Sequence, residues 1–434
     1  MTGTEHLVHT LRSQGRVCTS SGSPMYRELL ELVAADVESG GVFASILADQ
    51  KGAPEGQAVP LRLLGGLHRM VLDGRAPVLR RWYPSTGGTW QAEAAWPDIV
   101  RTATDQPESL RAALDRPPQT NEVGRSAALI GGLLIACLQF DLPIRLFEIG
   151  SSAGLNLRPD RYRYRYLGGE WGLADSPVRI DNAWLGELPP TATVRIVERH
   201  GYDIAPIDVT SPDGELNALS YIWPDQTDRL ERLRGAIAVA RNIPADLHRQ
   251  AAHAAVAGMT LTDDALTVLW HSITWQYLPA DERAAIRAGI DALAAKADAH
   301  CPFVHLTLEP AHQRPGAQIK YLVRMRSWPG GHARVLGECH PHGPPVTWQC
   351  RAICDPRVGS AQCWRRHGSS SPDIFLTNPS EFTPARRRYG RLCGARGTAE
   401  DLTSETFRAA TDAAHGSDPP PIAISWLRGA TQAG

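Results

Sequence analysis

Lysine is nearly missing from this 434-residue chain: Lys51, Lys296 and Lys320 stand alone among 45 basic residues. We read that scarcity as the coding bias of a GC-rich genome rather than as chemistry. Neither sign of charge is in excess, since 45 Lys+Arg against 46 Asp+Glu leave −1. Such a balance argues against nucleic acid as the main partner. No apolar run reaches the roughly 18 residues that a membrane span requires; Ala127 to Phe140 comes nearest, so no membrane partner is expected. Residues Met1 to Gln14 lack the apolar core of a signal peptide, and a cytoplasmic location is the expectation. The eight cysteines are irregularly spaced and make no disulfide framework. No period of roughly 20–50 residues recurs, which excludes solenoids and propellers.

The 43% of hydrophobic residues is ample for a core in a chain of this length. Residues 1–118 read as a helical region. Ser23-Pro24 opens a helix with Met25, Leu29, Leu32, Val33 and Val37 at helical spacing, stopped at Gly40-Gly41. Further helices are expected over Leu61 to Leu72 and over Pro97 to Leu114. Gln119-Thr120-Asn121-Glu122 then supplies cap chemistry for a helix over Ser126 to Leu138.

From there strands and helices alternate over residues 119–349, which indicates an α/β domain with a mainly parallel sheet. Core strands are expected at Ile144 to Ile149, Thr193 to Val197, Ala265 to Trp270 and Phe303 to Leu308, with helices over Thr227 to Arg241 and Ala280 to His300. Arg161 to Tyr166 alternates Arg and Tyr as a hairpin arm. Tyr321 to Arg326 and Ala333 to Glu338 bracket Trp328-Pro329-Gly330-Gly331 as a closing antiparallel hairpin. Residues 350–434 lack durable periodicity and read as a poorly ordered tail.

The most informative segment is Glu148-Ile149-Gly150-Ser151-Ser152-Ala153-Gly154-Leu155-Asn156. A strand ends in Glu148-x-Gly150, and glycine permits a tight turn and close ligand approach. A helix N-terminus following it would present free N–H groups to an electron-rich ligand. The same letters satisfy Gly-x-Ser-x-Gly, the nucleophile elbow of α/β-hydrolases, with Ser152 as nucleophile. That alternative needs strands ahead of the elbow, which residues 1–118 do not supply. Dinucleotide binding lacks its third glycine. A tight turn with no ligand is the plain alternative.

Glu148-x-Gly150-x-x-x-Gly154-x-Asn156 resembles motif I of class I S-adenosylmethionine-dependent methyltransferases. Gly201-Tyr202-Asp203 resembles the end of their second strand, where an acid holds the ribose hydroxyls. Val268 to Ile273 and Phe303 to Pro310 resemble their fourth and fifth strands. The resemblance implies a Rossmann-like α/β sheet, S-adenosylmethionine as cofactor, and Glu148, Gly150, Ser151, Gly154, Asn156 and Asp203 as its binding residues. More specifically, the chain resembles an uncharacterised bacterial family, domain-of-unknown-function family 2332. The carriers are Gln119 to Arg125, Glu148 to Leu157, Asp160 to Tyr164, Gly201 to Asp208, Tyr221 to Gln226, His271 to Leu278 and His340 to Gly343, spread over about residues 20–349.

Three features depart from the methyltransferase pattern. About forty residues separate the glycine turn from Asp203, Pro159 predicts a short first helix, and Asp246 falls too early to end a third strand. The expected reaction is methyl transfer to a small molecule. His271 and Tyr277 are the candidate catalytic residues, with Trp275 beside them and Glu309 as a second acid. A non-catalytic nucleotide-binding module is the alternative from another class. Asn121, Glu122 or Arg125 would lie beside the turn. Asp225 and Gln226 read as caps of the helix at Thr227. Cys339-His340-x-His342 and Cys350-x-x-x-Cys354 lack zinc-site spacing, so no metal is expected. The oligomeric state is not legible.

Overall fold

A computed structural model describes residues 2–115, 118–311 and 319–349. The expected tail from residue 350, with Cys350 and Cys354, lies outside the described residues.

The first part is helical: Gly3–Ser20, Pro24–Glu38, Val42–Ile46, Val59–Leu72, Ala92–Asp105 and Pro107–Leu114. Gly3–Ser20 precedes the first expected helix and starts in a capping box, with Thr2 Oγ1 accepting from the Glu5 N–H and Glu5 accepting from the Thr2 N–H. The helix expected over 97–114 is two helices. Pro107 cannot donate to a preceding turn, and it drives Gln106 out of helical geometry to φ −134°. Leu11, Leu29, Val33, Leu63, Leu67 and Ile99 fill a core of this region, against which Trp223 also packs.

The second part is built on two sheets. Its strands are β1 (Ile144–Ile149), β2 (Arg163–Tyr166), β3 (Gly169–Gly172), β4 (Arg179–Ile180), β5 (Trp184–Gly186) and β6 (Ile196–Asp203). They continue with β7 (Asp246–Arg249), β8 (Leu266–Ser272), β9 (Phe303–Ala311), β10 (Lys320–Trp328), β11 (His332–His340) and β12 (Gly343–Trp348). The nine-stranded sheet runs β5-β12-β11-β10-β9-β8-β1-β6-β7, and β3-β2-β4 form a small second sheet. Strands β7, β6, β1, β8 and β9 are mutually parallel, and β9 to β12 form an antiparallel meander. This is an α/β fold with a large, mostly parallel sheet and N-terminal helices.

Several expected bounds shift. The second core strand begins at Ile196 and reaches Asp203, because Glu198, Arg199 and His200 interrupt its apolar run. Glu198 pairs with Arg145 at 2.8 Å, and Arg199 with Asp160 at 2.8 Å, so these charges are accommodated within the strand. The helix expected to reach His300 ends at Ala294. Strand β5 has three residues, too few to show an alternation.

The helix Ser126–Phe140 is apolar all round because it is enclosed by protein. The stretch Val123–Phe140 has the length and composition to cross a membrane, yet 78% of it is buried inside the fold. It packs on one face of the sheet with Leu146, Val268 and Trp270. The helices Ala252–Gly258 and Ala280–Ala294 cover part of the other face, over Phe147, Ile149, Leu269 and Phe303.

Asp225 does not cap the helix at Thr227. Its carboxylate accepts from the Ser23 hydroxyl at 2.6 Å and the Met25 N–H at 3.1 Å, closing the start of helix Pro24–Glu38. Gln226 donates to the Ser21 carbonyl at 2.7 Å. These bonds fasten the helical region to the α/β part.

Candidate functional site

Strand order reverses at β1, with β6 to one side and β8 to the other, and open α/β sheets bind ligands at such switch points. The glycine turn lies there. Gly150, Ser152 and Gly154 all have positive φ, at 68°, 53° and 64°. The Gly150 N–H donates to the Tyr202 carbonyl at 2.8 Å, and the Leu155 N–H donates to Asn121 Oδ1 at 2.7 Å.

The turn is filled by the protein itself. A Cβ on Gly150 would stand 2.4 Å from Thr274 Oγ1, and one on Gly154 would stand 2.5 Å from Leu247. Asp203 turns one carboxylate oxygen to the Ser152 N–H at 2.8 Å and the other to the Ala205 N–H at 2.9 Å. Instead of a helix, a three-residue 3-10 turn, Leu155–Leu157, follows Gly154, so the expected helix N-terminus is not formed. Asn156 accepts from the Ser126 hydroxyl at 2.7 Å, inside the core.

Glu148 is 2% exposed, and Oε2 finds no partner among the described residues. Burial pushes its carboxyl up to about 8 despite the charge of Arg125, so it keeps its proton at neutral pH. A neutral acid gives no charge to hold an ammonium group. In this closed form the residues present do not fit S-adenosylmethionine. Ser151 Oγ and Ser152 Oγ are likewise buried without partners among the described residues, and no histidine bonds to Ser152.

Neighbouring expectations resolve into structural roles. Glu122 is enclosed by Arg229 at 2.5 Å and Arg232 at 3.7 Å. Burial opposes its charge, but Arg229, His342 and Arg232 hold the carboxyl down at about 2. Arg125 donates to the Pro341 carbonyl at 2.8 Å. Cys339, His340 and His342 belong to no metal-holding group of three among the described residues.

His271 does not join the glycine turn. Glu148 pairs with Trp270 across β1 and β8, so the next residue, His271, lies on the opposite face. There it donates from Nδ1 to Glu309 Oε1 at 2.7 Å. The same carboxylate oxygen accepts the N–H groups of Thr274 at 3.0 Å and Trp275 at 3.3 Å. On its other side His271 Nε2 meets His305 Nε2 at 3.1 Å. Trp275 stacks on the His271 ring at 5.3 Å between centroids. Tyr277, the other catalytic candidate, is 70% exposed and outside this chain of bonds.

The hydrogen-bond pattern assigns the tautomers. A carboxylate on Nδ1 makes His271 an acceptor at Nε2, so His305 donates from Nε2 and carries its lone pair on Nδ1. Burial, His271 and Arg326 push His305 well below the usual histidine range, which keeps it neutral. Both histidines line a cleft of about 400 Å³ with Thr307, Arg324 and Trp328 along the strands and Arg287 on helix Ala280–Ala294.

The sequence named His271 and Glu309 separately, without pairing them, and missed His305. The signal was present: His305-x-Thr307-x-Glu309 places three polar side chains on one face of β9. Arg324-x-Arg326 repeats the pattern on β10, where Arg324 pairs with Thr307 and Arg326 with His305.

Comparison with curated proteins and with solved structures finds no match. The family model described as "Uncharacterized protein conserved in bacteria (DUF2332)" matches residues 8–348. The chain belongs to that family.

Proposed function

We propose that the protein is an enzyme that performs acid–base chemistry on a small molecule bound in the cleft over β8, β9 and β10. The observation that carries this reading is the Glu309–His271–His305 chain. A substrate proton taken up at His305 Nδ1 lets the Nε2 proton pass to His271 Nε2. The positive charge then rests on His271, beside a carboxylate that two backbone N–H groups hold in place. The charge thus comes to rest beside Glu309 rather than on His305, which burial keeps neutral. His305 touches substrate in this scheme, and His271 and Glu309 position and charge it.

A screen of proton-abstraction, isomerisation and hydrolysis substrates tests the reading. Activity found this way should vanish in His305→Gln and fall about 10²–10⁴-fold in Glu309→Gln. Turnover indifferent to His305→Gln would rule it out.

A second reading, methyl transfer on a Rossmann-like sheet, is favoured by one observation: the parallel strands follow the order 3-2-1-4-5 with the glycine turn at the switch point. It requires Leu247 and Thr274 to move off the turn. Calorimetric titration of Leu247→Ala with S-adenosylmethionine is its test; no heat from that variant or from the wild type removes it.

A further inference from the structure

The cleft carries more positive charge than its own acids neutralise. Its lining holds Arg287, Arg324 and Arg326 against Asp291 and Glu309, and Glu309 is already engaged by His271. Among the described residues no carboxylate forms an ion pair with any of the three arginines. Two of them are held by aromatic faces: Arg287 lies 5.1 Å over the Trp275 ring, and Arg326 lies 4.7 Å over Trp328. Stacking occupies the flat face of a guanidinium and leaves the N–H edge free. Arg326 gives its Nε–H to the Gly331 carbonyl at 3.1 Å, which fixes the group and keeps its terminal nitrogens available. Arg324 lies two residues before Arg326 on the same face of β10, opposite Thr307, whose hydroxyl is a further donor.

We infer that the cleft binds a small molecule through a multiply charged oxyanion, a phosphoryl group or a pair of carboxylates, gripped by Arg287, Arg324 and Arg326 beside His305. This rests on the acid–base reading of the same cleft and adds the class of substrate. Free guanidinium edges match such oxyanions in shape as well as charge. Burial first, and the neighbouring Arg326 as well, keep His305 neutral beside this cationic group.

Calorimetric titration of the full chain with inorganic phosphate and with malonate tests the inference. At least one should bind the wild type, and Arg324→Gln and Arg287→Gln should each weaken it about tenfold or more. Arg165→Gln, which removes an exposed arginine paired with Asp181 on the small sheet, should leave it unchanged. Phosphate alone binding identifies a phosphorylated substrate, malonate alone a dicarboxylate, and both the shared oxyanion chemistry. No binding of either ion, or equal weakening in Arg165→Gln, overturns the inference. Nitrogen-15 shifts of His305, followed with pH in the same samples, report the acid–base chain separately: His305 protonated at neutral pH removes that reading whatever the anions do.

Discussion

The two ends of β1 and β9 make opposite uses of similar positions on one sheet. The turn after β1 has the glycines, small residues and strand-end acid of a ligand cradle, yet Thr274, Leu247 and backbone N–H groups occupy it. The face of β9 and β10 carries only alternating polar residues, yet it holds two arginines without acid partners among the described residues, a third facing them from helix Ala280–Ala294, and a histidine with an open ring nitrogen. Glycines record how closely neighbours approach; they do not say whether the neighbour is a ligand or the protein. Arginines that no carboxylate pairs say more, because their N–H edges stay open to an anion.

The largest test of this contrast is the pH response of Glu148. Its pKa is raised to about 8 in the folded chain, so between pH 4.5 and 8 the folded state binds more protons than the unfolded state. Stability contributed by the neutral acid is full below about 4.5 and is lost as pH rises through 8, on the order of 5 kcal/mol in all. Glu148→Gln should flatten that slope and be the more stable protein at pH 8, as read by urea denaturation. A wild type whose stability does not fall over this window would show Glu148 to be charged and partnered.

A paired substitution then compares the two places directly. Gly154→Ala meets Leu247 at a left-handed φ of 64°, and we expect roughly 2–4 kcal/mol of lost stability. His305→Gln on the cleft wall should cost under about 1 kcal/mol, because His305 belongs to no apolar core cluster and glutamine keeps an N–H donor for His271. Equal losses at both positions would mean that the cleft is as structural as the turn.

Much of the fold was legible because its strands are buried on both faces. β1 and β8 read as near-continuous apolar runs, and Ser23-Pro24 announced its helix. Legibility failed where charge interrupted pattern, at Glu198 to His200 in β6. It failed also where partners are remote in sequence, as with Asp225, whose local setting suggested the wrong helix. The site failed differently. Glu309 and His271 were named singly, but only the register of β8 against β9, with His271 opposite Thr307, brings Glu309 and His305 to either side of one imidazole.

The Asp225 cap has a consequence for the order of assembly. A ribosome delivers Ser23 and Pro24 first, but the carboxylate that closes their helix emerges about two hundred residues later, together with Trp223, which packs on the same helical core. Contacts so far apart in the chain are slow to close. The segment made first is therefore completed late, and until residue 225 is out, the start of helix Pro24–Glu38 and the seat of Trp223 face water.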